Sequence, residues 1–297
     1  MRIPKLEQRL FVLAIVVLIG VVGNNVYRRQ NRAALVHAIL TNDSVSAVRL
    51  LKSGITPSQT YAEKTPPFAG ARRSLVYGAV ERNNPELVQA LLSYGAKADE
   101  EALSLAVVER KPSLVKALLA AGANPNSQPK DVANLYQPLT LMAVENNDVE
   151  TLSALLEKGA NVEGHNAMSG MTPLILGVER NYPEIVETVF KYGANMNVRD
   201  NYQGTAMSAA LRHENLAMVK RLVSQGVDVN QRGVEGYTPL MVAAAQGNTE
   251  IVRYLLSKQA KRDLTAFNGD TAIRLAAQHP EIIALLNQPR NAPESFP

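Results

Sequence analysis

The sequence predicts an all-α fold in which about eight similar helix–turn–helix repeats stack on one another. Three observations predict it. Apolar residues recur at helical spacing in paired short segments, the pairs repeat about every 33 residues, and a glycine follows most second segments at a fixed distance. The repeats begin near Ala34, Ser74, Glu101, Pro138, Thr172, Thr205, Thr238 and Thr271, and the last four starts lie 33 residues apart.

The most regular repeat runs from Gly236 to Leu256. Its first helix is expected to be capped by Thr238 and to begin at Pro239, because proline at the first helical position loses no hydrogen bond. The order G-x-T-P-L, then A-A-x-x-G, then E-I-V-x-x-L-L resembles an ankyrin repeat. The resemblance implies a solenoid with short β-hairpin fingers between repeats and a function in binding another macromolecule.

The second helix of each repeat is expected to end at a residue in the left-handed conformation, which glycine adopts cheaply. Six repeats have glycine there: Gly54, Gly95, Gly122, Gly159, Gly193 and Gly226. The seventh has Gln259, so we predict a strained or loosened helix end at this position.

Departures from the period predict local differences. The proline-rich stretch from Ile55 to Arg73 predicts an exposed excursion, and the short connection between Gly95 and Glu101 predicts a missing finger. The repeat domain is expected to cover residues 33–288. Its last repeat is shortened and is expected to be the C-terminal capping repeat, and residues 289–297 are expected to be a disordered tail.

Residues 1–32 are predicted to be a signal peptide or a membrane anchor with basic flanks. The run from Leu10 to Val22 has no polar side chain and follows three basic residues, the order of a secretory signal. An uncleaved hydrophobic helix over residues 10–27 is the alternative, and it is short for the roughly 20 apolar residues that span a bilayer. We expect the repeats to be periplasmic, exported or held by this membrane segment; the opposite orientation would place them on the cytoplasmic side.

The charge balance argues against a nucleic-acid partner. The formal net charge is +4, but residues 1–32 hold six Lys or Arg and one Glu. The other residues carry 25 basic and 26 acidic side chains, so the repeats lack the electropositive surface that phosphate binding requires.

Motifs for catalysis are missing from the sequence. There is no cysteine, which excludes thiol catalysis and cysteine-ligated zinc, and no phosphate loop or nucleophile elbow. The histidines, which lie in different repeats without metal-ligand spacing, are His37, His165, His213 and His279. We predict a protein that is not an enzyme, with no cofactor, metal or small-molecule substrate. A site between fingers that uses His165 or His213 is the minor alternative.

The resemblance also implies where a partner protein would bind, namely the concave side formed by finger tips and the ends of the first, inner helices. The inner-helix positions are Glu81, Arg82, Glu145, Glu179, Arg180, Arg212, His213 and Gln246. The finger positions are Met168, Met171, Asn201, Tyr202, Glu235, Tyr237 and Phe267. The charged positions are also consistent with a solvated face, whereas exposed aromatic and Met side chains are typical of binding anchors.

These observations predict a protein–protein interaction module at the cell envelope. The alternative is an inhibitor or immunity-type protein that occludes an envelope or secreted enzyme.

Overall fold

A computed structural model describes residues 26–62, 72–128 and 137–288 of the chain. Sixteen α-helices lie in these ranges, and the chain divides after Asn124 into an N-terminal and a C-terminal unit. The N-terminal unit contains α1 (26–40), α2 (Ser44–Lys52), β1 (Thr60–Ala62), β2 (Arg72–Ser74), α3 (Leu75–Glu81), α4 (Pro85–Ser93), α5 (Glu100–Val108) and α6 (Pro112–Ala120).

The C-terminal unit continues the alternation of first and second helices. It contains α7 (Leu139–Glu145), α8 (Val149–Glu157), α9 (Pro173–Glu179), α10 (Pro183–Lys191), α11 (Ala206–Arg212), α12 (Leu216–Ser224), α13 (Pro239–Gln246), α14 (Thr249–Ser257), α15 (Ala272–Leu275) and α16 (Pro280–Asn287). A single 3-10 turn, Val234–Gly236, precedes α13. The predicted all-α array of helical repeats is therefore confirmed.

Each unit is built as two layers of helices. In the C-terminal unit α7, α9, α11, α13 and α15 pack in sequence in one layer, while α8 packs on α10, and α14 packs on both α12 and α16. Leu152, Ile185 and Leu255 are fully buried between the layers. In the N-terminal unit α3 packs on α5, and α4 packs on α2 and α6. The helices are seven to nine residues long in most pairs, so packing between neighbours stabilises them.

The helix starts follow the capping rule that the sequence predicts. The hydroxyl of Thr172, Thr205, Thr238 or Thr271 accepts a hydrogen bond from the backbone N–H three residues on. Proline stands at the first helical position of α9 and α13. Two starts are shifted. Ala34 lies inside α1, and α5 begins at Glu100 and is capped by Asp99, because the Asp99 carboxylate accepts from Ala102 N–H at 2.8 Å. The expected boundary between residues 32 and 33 falls inside α1.

The stretch between α2 and α3 is anchored in the N-terminal unit at both described ends. β1 and β2 pair antiparallel, with Tyr61 opposite Arg73, and both side chains are buried. Gly78 of α3 leaves the space for the Tyr61 ring, since a Cβ there would be 3.1 Å from it. The expectation of an exposed excursion is thus wrong for Tyr61 and Arg73, whereas their strand neighbours Thr60, Ala62 and Arg72 are exposed. Residues 63–71 lie outside the described part of the chain.

The fingers of the C-terminal unit are hydrogen-bonded turns, so the predicted β-hairpins are wrong there. A backbone N–H bonds to the carbonyl four residues on in three of them: Asp200 to Gly204 (2.9 Å), Gly233 to Tyr237 (2.8 Å) and Ala266 to Asp270 (2.9 Å). The residues beside these turns form no strands, and β1 and β2 are the only strands in the described residues.

The helix end at Gln259 has the predicted left-handed backbone. Its φ of 63° matches the positive φ of the six helix-ending glycines. Gln259 N–H donates to Leu256 O at 2.9 Å, and the next N–H donates to Leu255 O at 3.0 Å, the usual pattern of such an end. A side chain is therefore held where glycine is favoured.

The predicted membrane segment falls outside the described residues from position 10 to position 25, and so does the predicted tail. Within the three described ranges, no helix has the length and apolar character needed to cross a membrane.

We expect Gln259→Gly to raise the free energy of unfolding by about 1 kcal/mol, because glycine avoids the Cβ penalty of the left-handed region. Gly193 is the matched control, since its φ is 79° and no atom lies within 4 Å of the position that its Cβ would take. Gly193→Gln should lower stability by a similar amount. Urea unfolding followed by circular dichroism measures both changes. A urea midpoint for Gln259→Gly below that of the wild type would show that the backbone at Gln259 is not strained.

Candidate functional site

Four large apolar side chains stand exposed at successive finger tips of the C-terminal unit. Met168 is 84% exposed, Tyr202 69%, Val234 47% and Phe267 79%. We call these four residues the finger row. Met168, Asn201, Val234 and Phe267 occupy equivalent positions of the 33-residue period. Tyr202 is the residue directly after Asn201.

The last two fingers hold Phe267 in place. Phe267 N–H donates to Glu235 O at 3.0 Å. Its ring lies against Gly236, where a Cβ would come within 2.8 Å of the ring carbon Cδ1. The φ of Gly236 is 79°, so both its conformation and this close approach require glycine. Phe267 is therefore fixed on one side and open to solvent on the other.

The first two fingers are joined in an equivalent way. Asn201 N–H donates to Ser169 O at 2.9 Å, and Asn201 Nδ2 donates to Met168 O at 3.0 Å. Gly170 makes room, since a Cβ there would be 2.6 Å from Asn201 Oδ1. This contact fixes the backbone of both fingers while the Met168 side chain stays exposed. Asn201, predicted as a contact residue, thus has a structural bond to its neighbour.

Tyr202 is positioned by the buried carboxylate of Asp200. Asp200 Oδ1 accepts from Tyr202 N–H at 2.8 Å and from Gly204 N–H at 2.7 Å. The Tyr202 ring is exposed, and its hydroxyl makes no hydrogen bond with another described residue. Its position therefore depends on the backbone of its own finger.

Tyr237 differs from the other predicted finger anchors because it is half-buried. Its hydroxyl donates to Asp270 Oδ2 at 3.2 Å and accepts from Asn268 Nδ2 at 2.9 Å. It therefore links its own finger to the next. Met171 is also half-buried, and Glu235 is exposed.

The inner-helix ends of the C-terminal unit form a charged flank beside the fingers. Glu179 is half-buried, and both of its carboxylate oxygens lie 2.9 Å from Arg212 Nη1 of the next repeat. His213 Nε2 is 3.4 Å from the same carboxylate. Glu145 and Arg180 are exposed. Ion pairs at a protein surface contribute little to stability.

Two predicted residues bind the backbone of the preceding repeat. Gln246 Nε2 donates to Leu211 O at 3.0 Å. In the N-terminal unit Arg82 Nε donates to Leu40 O at 2.8 Å, and its Nη1 contacts both Gly78 O and Glu81. These contacts connect neighbouring repeats.

Two tyrosines lie outside the row near helix ends. The Tyr192 hydroxyl donates to Glu157 Oε1 at 3.2 Å. Its phenol pKa is raised above the ordinary value, first by removal from water and then by the Glu157 carboxylate. Tyr254 has Lys220 and Lys258 each 5.7 Å from its ring centre. These contacts give both tyrosines roles in packing.

The histidines near the fingers contact a backbone oxygen and a carboxylate. His165 is exposed, with Nδ1 3.2 Å from Glu163 O, and His213 faces Glu179. No three His, Asp or Glu side chains meet as a metal site would require in the described ranges.

The residue that the sequence analysis missed is Val234. The 33-residue spacing from Asn201 to Val234 and from Val234 to Phe267 would have identified it.

Comparisons with known proteins agree with the repeat pattern. A family profile described as "Ankyrin repeats (3 copies)" matches residues 103–200 and 201–292, more than half of the chain. The chain is 30% identical over 197 residues to the B-cell lymphoma 3 protein homolog of Mus musculus, across 64% of this chain and 44% of that protein. It spans less than half the length of the curated relatives it matches.

Two solved structures are similar. The ankyrin repeat domain of Bcl-3, described as a unique member of the IkappaB protein family, aligns with a TM-score of 0.64 and 26% identity, covering 72% of this chain and 97% of that one. An ankyrin repeat domain from Acinetobacter baumannii AYE aligns with a TM-score of 0.57 and 25% identity, covering 63% and 97%.

Tyr237→Phe should lower the free energy of unfolding by about 1 kcal/mol, because it leaves the Asp270 carboxylate and the Asn268 amide without the hydroxyl. Tyr202→Phe is the matched control and should leave stability unchanged, since the Tyr202 hydroxyl has no partner in the described residues. Urea midpoints of the two variants measure the difference. Equal midpoints would contradict a structural role for the Tyr237 hydroxyl.

Proposed function

Because the chain belongs to the ankyrin-repeat family, whose repeats are protein–protein interaction modules, we propose that it binds a partner protein through its fingers and inner-helix ends. The finger row of Met168, Tyr202, Val234 and Phe267 supplies the apolar contacts. The charged flank of Glu145, Glu179, Arg180, Arg212 and His213 borders them.

The observation that carries this proposal is the exposure of side chains whose backbones are fixed. Phe267 rests on Gly236 and bonds to Glu235, yet 79% of it is open to solvent. Exposed aromatic residues are enriched among the few that dominate binding. A side chain that is already positioned loses less entropy when a partner arrives.

The charged flank is suited to selecting a partner. Glu179 already bonds to Arg212, so a partner that contacts either residue must compete with this pair. Such charges affect association rate and specificity more than affinity. The apolar row would then determine how tightly the partner is held.

The proposed mechanism is recognition by a preformed surface without catalysis. Two features support it. In the described residues the side chain of His165 contacts backbone and that of His213 contacts Glu179, and the side chains in the row are apolar or phenolic. No residue in the row is a strong acid, base or nucleophile at neutral pH.

We also propose that residues 10–27 bring the repeats to the cell envelope, with the repeats in the periplasm. The support is the basic start followed by the apolar run from Leu10 to Val22.

The double variant Tyr202→Ala with Phe267→Ala should lower recovery of the partner by at least about tenfold, because each anchor is expected to contribute more than 1 kcal/mol. Crosslinking and pull-down from cells that naturally express the chain measure recovery. Val45→Ala is the control: Val45 is 70% exposed on α2 of the N-terminal unit, outside the row. If the double variant recovers every partner as well as the control does, the finger row is not the binding surface.

Deleting residues 1–23 should leave the repeats in the cytoplasmic fraction, because the apolar run that enters the bilayer is lost. The full chain should be found in the membrane or periplasmic fraction, and mass spectrometry of its N-terminus tells signal from anchor. Recovery of the full chain in the cytoplasmic fraction would refute the envelope location.

A further inference from the structure

Sulfur in this chain is carried by methionine alone, since the sequence has eight methionines and no cysteine. Their surroundings differ sharply. Met168 is 84% exposed. Met171 and Met196 are half-buried. The other methionines of the described residues are at most 6% exposed: Met142, Met207, Met218 and Met241.

The exposed thioether sits on a fixed backbone. Met168 N–H donates to Asn166 Oδ1 at 2.9 Å, and Met168 O accepts from Asn201 Nδ2 at 3.0 Å. Both bonds use the main chain only. A change in the side chain therefore leaves the finger and its contact with the next finger in place.

The half-buried methionines are more protected. The Sδ and Cε of Met196 lie against Gly226, 3.8 and 3.6 Å from the position that a Cβ would take there. Met241 Sδ is 3.4 Å from Thr238 N in the buried cap of α13. Reaction at the Met241 sulfur would require the packing around it to open, and the Met196 sulfur is covered on the side of Gly226.

We propose that Met168 is a reversible oxidation site at which a peroxide changes the finger row from apolar to polar. The thioether sulfur attacks one peroxide oxygen, the O–O bond breaks, and a sulfoxide S–O bond forms. Sulfur is oxidised by two electrons, and hydrogen peroxide is reduced to water. Methionine sulfoxide reductases reverse the change with two electrons from thiols, which become a disulfide while the sulfoxide oxygen leaves as water.

The consequence for binding rests on the proposed function. A sulfoxide is polar and accepts hydrogen bonds, so it disrupts an apolar contact that a thioether makes. Because Met168 is adjacent to Asn201 and Tyr202 in the paired fingers, its polar sulfoxide group would lie within the finger row. Peroxide would weaken partner binding without unfolding the repeats.

Mass mapping of the full chain after brief hydrogen peroxide treatment tests the site. Met168 should gain one oxygen at least about fivefold faster than Met171 or Met196, because reactivity follows exposure. In urea the methionines should react at similar rates. Oxidation of Met171 or Met196 as fast as Met168 in the folded chain would overturn the assignment.

Retention on a phenyl column tests the change in surface without a partner. Peroxide should shorten the retention of the wild type, and methionine sulfoxide reductase treatment should restore it. Met168→Leu should keep its retention after peroxide, and Met168→Gln should elute early without it. Circular dichroism should stay unchanged in each case. An equal shift of wild type and Met168→Leu would place the effect elsewhere.

The capture assay separates this inference from the proposed function. Peroxide should reduce partner recovery by the wild type severalfold and leave recovery by Met168→Leu unchanged. Full recovery with Met168 fully oxidised would refute control of binding by this residue. If Tyr202→Ala with Phe267→Ala also recovers every partner, the proposed function fails, while the mass map still decides the oxidation site.

Discussion

Among the described residues, no helix pair can bury its apolar face alone, and this requirement for neighbours determines how the repeats are arranged. Helices of seven to nine residues are too short to be stable in isolation. Each pair becomes stable when Leu152, Ile185, Leu255 and their equivalents are covered by a neighbour on both sides. Stacking therefore determines the position of each turn, because a turn can move only if two packed helices move with it.

Hydrogen bonds between neighbouring repeats also fix the positions of the turns in the stack. In the C-terminal unit Asn126 Oδ1 accepts from Asn161 N–H at 2.7 Å, Glu163 accepts from Asn195 N–H at 2.6 Å, and Asn230 accepts from Lys261 N–H at 2.8 Å. Each bond joins the turn after one second helix to the corresponding turn of a neighbouring repeat. These bonds satisfy backbone N–H groups in the turns that follow the second helices, and they hold the bases of the fingers at fixed spacing. Helix stacking and the hydrogen bonds between turns together hold the backbone beneath the finger row in place.

The sequence predicted what depends on short stretches of chain and missed what depends on contacts between repeats. The Thr caps and the left-handed end at Gln259 follow from one residue and its immediate neighbours, so local rules predicted them. The contact of Phe267 with Gly236 and the bond from Tyr237 to Asp270 each join residues about 33 positions apart. Patterns within a short stretch of sequence do not predict such contacts. For the same reason the burial of Tyr61 and Arg73, on paired strands, was mistaken for an exposed excursion.

Exposure of one apolar residue is ordinary on a protein surface, so exposure by itself does not define the finger row. What defines it is exposure at nearly the same position of successive repeats, together with glycines at which the first finger meets the second and the third meets the fourth. Gly170 and Gly236 have no room for a side chain because Asn201 and Phe267 occupy that space. The tips are thus held together by the backbone, and the side chains above them are free to meet another molecule. Substitutions at the tips can change what is recognised without disturbing the stack, whereas substitutions at these glycines alter how the tips are arranged.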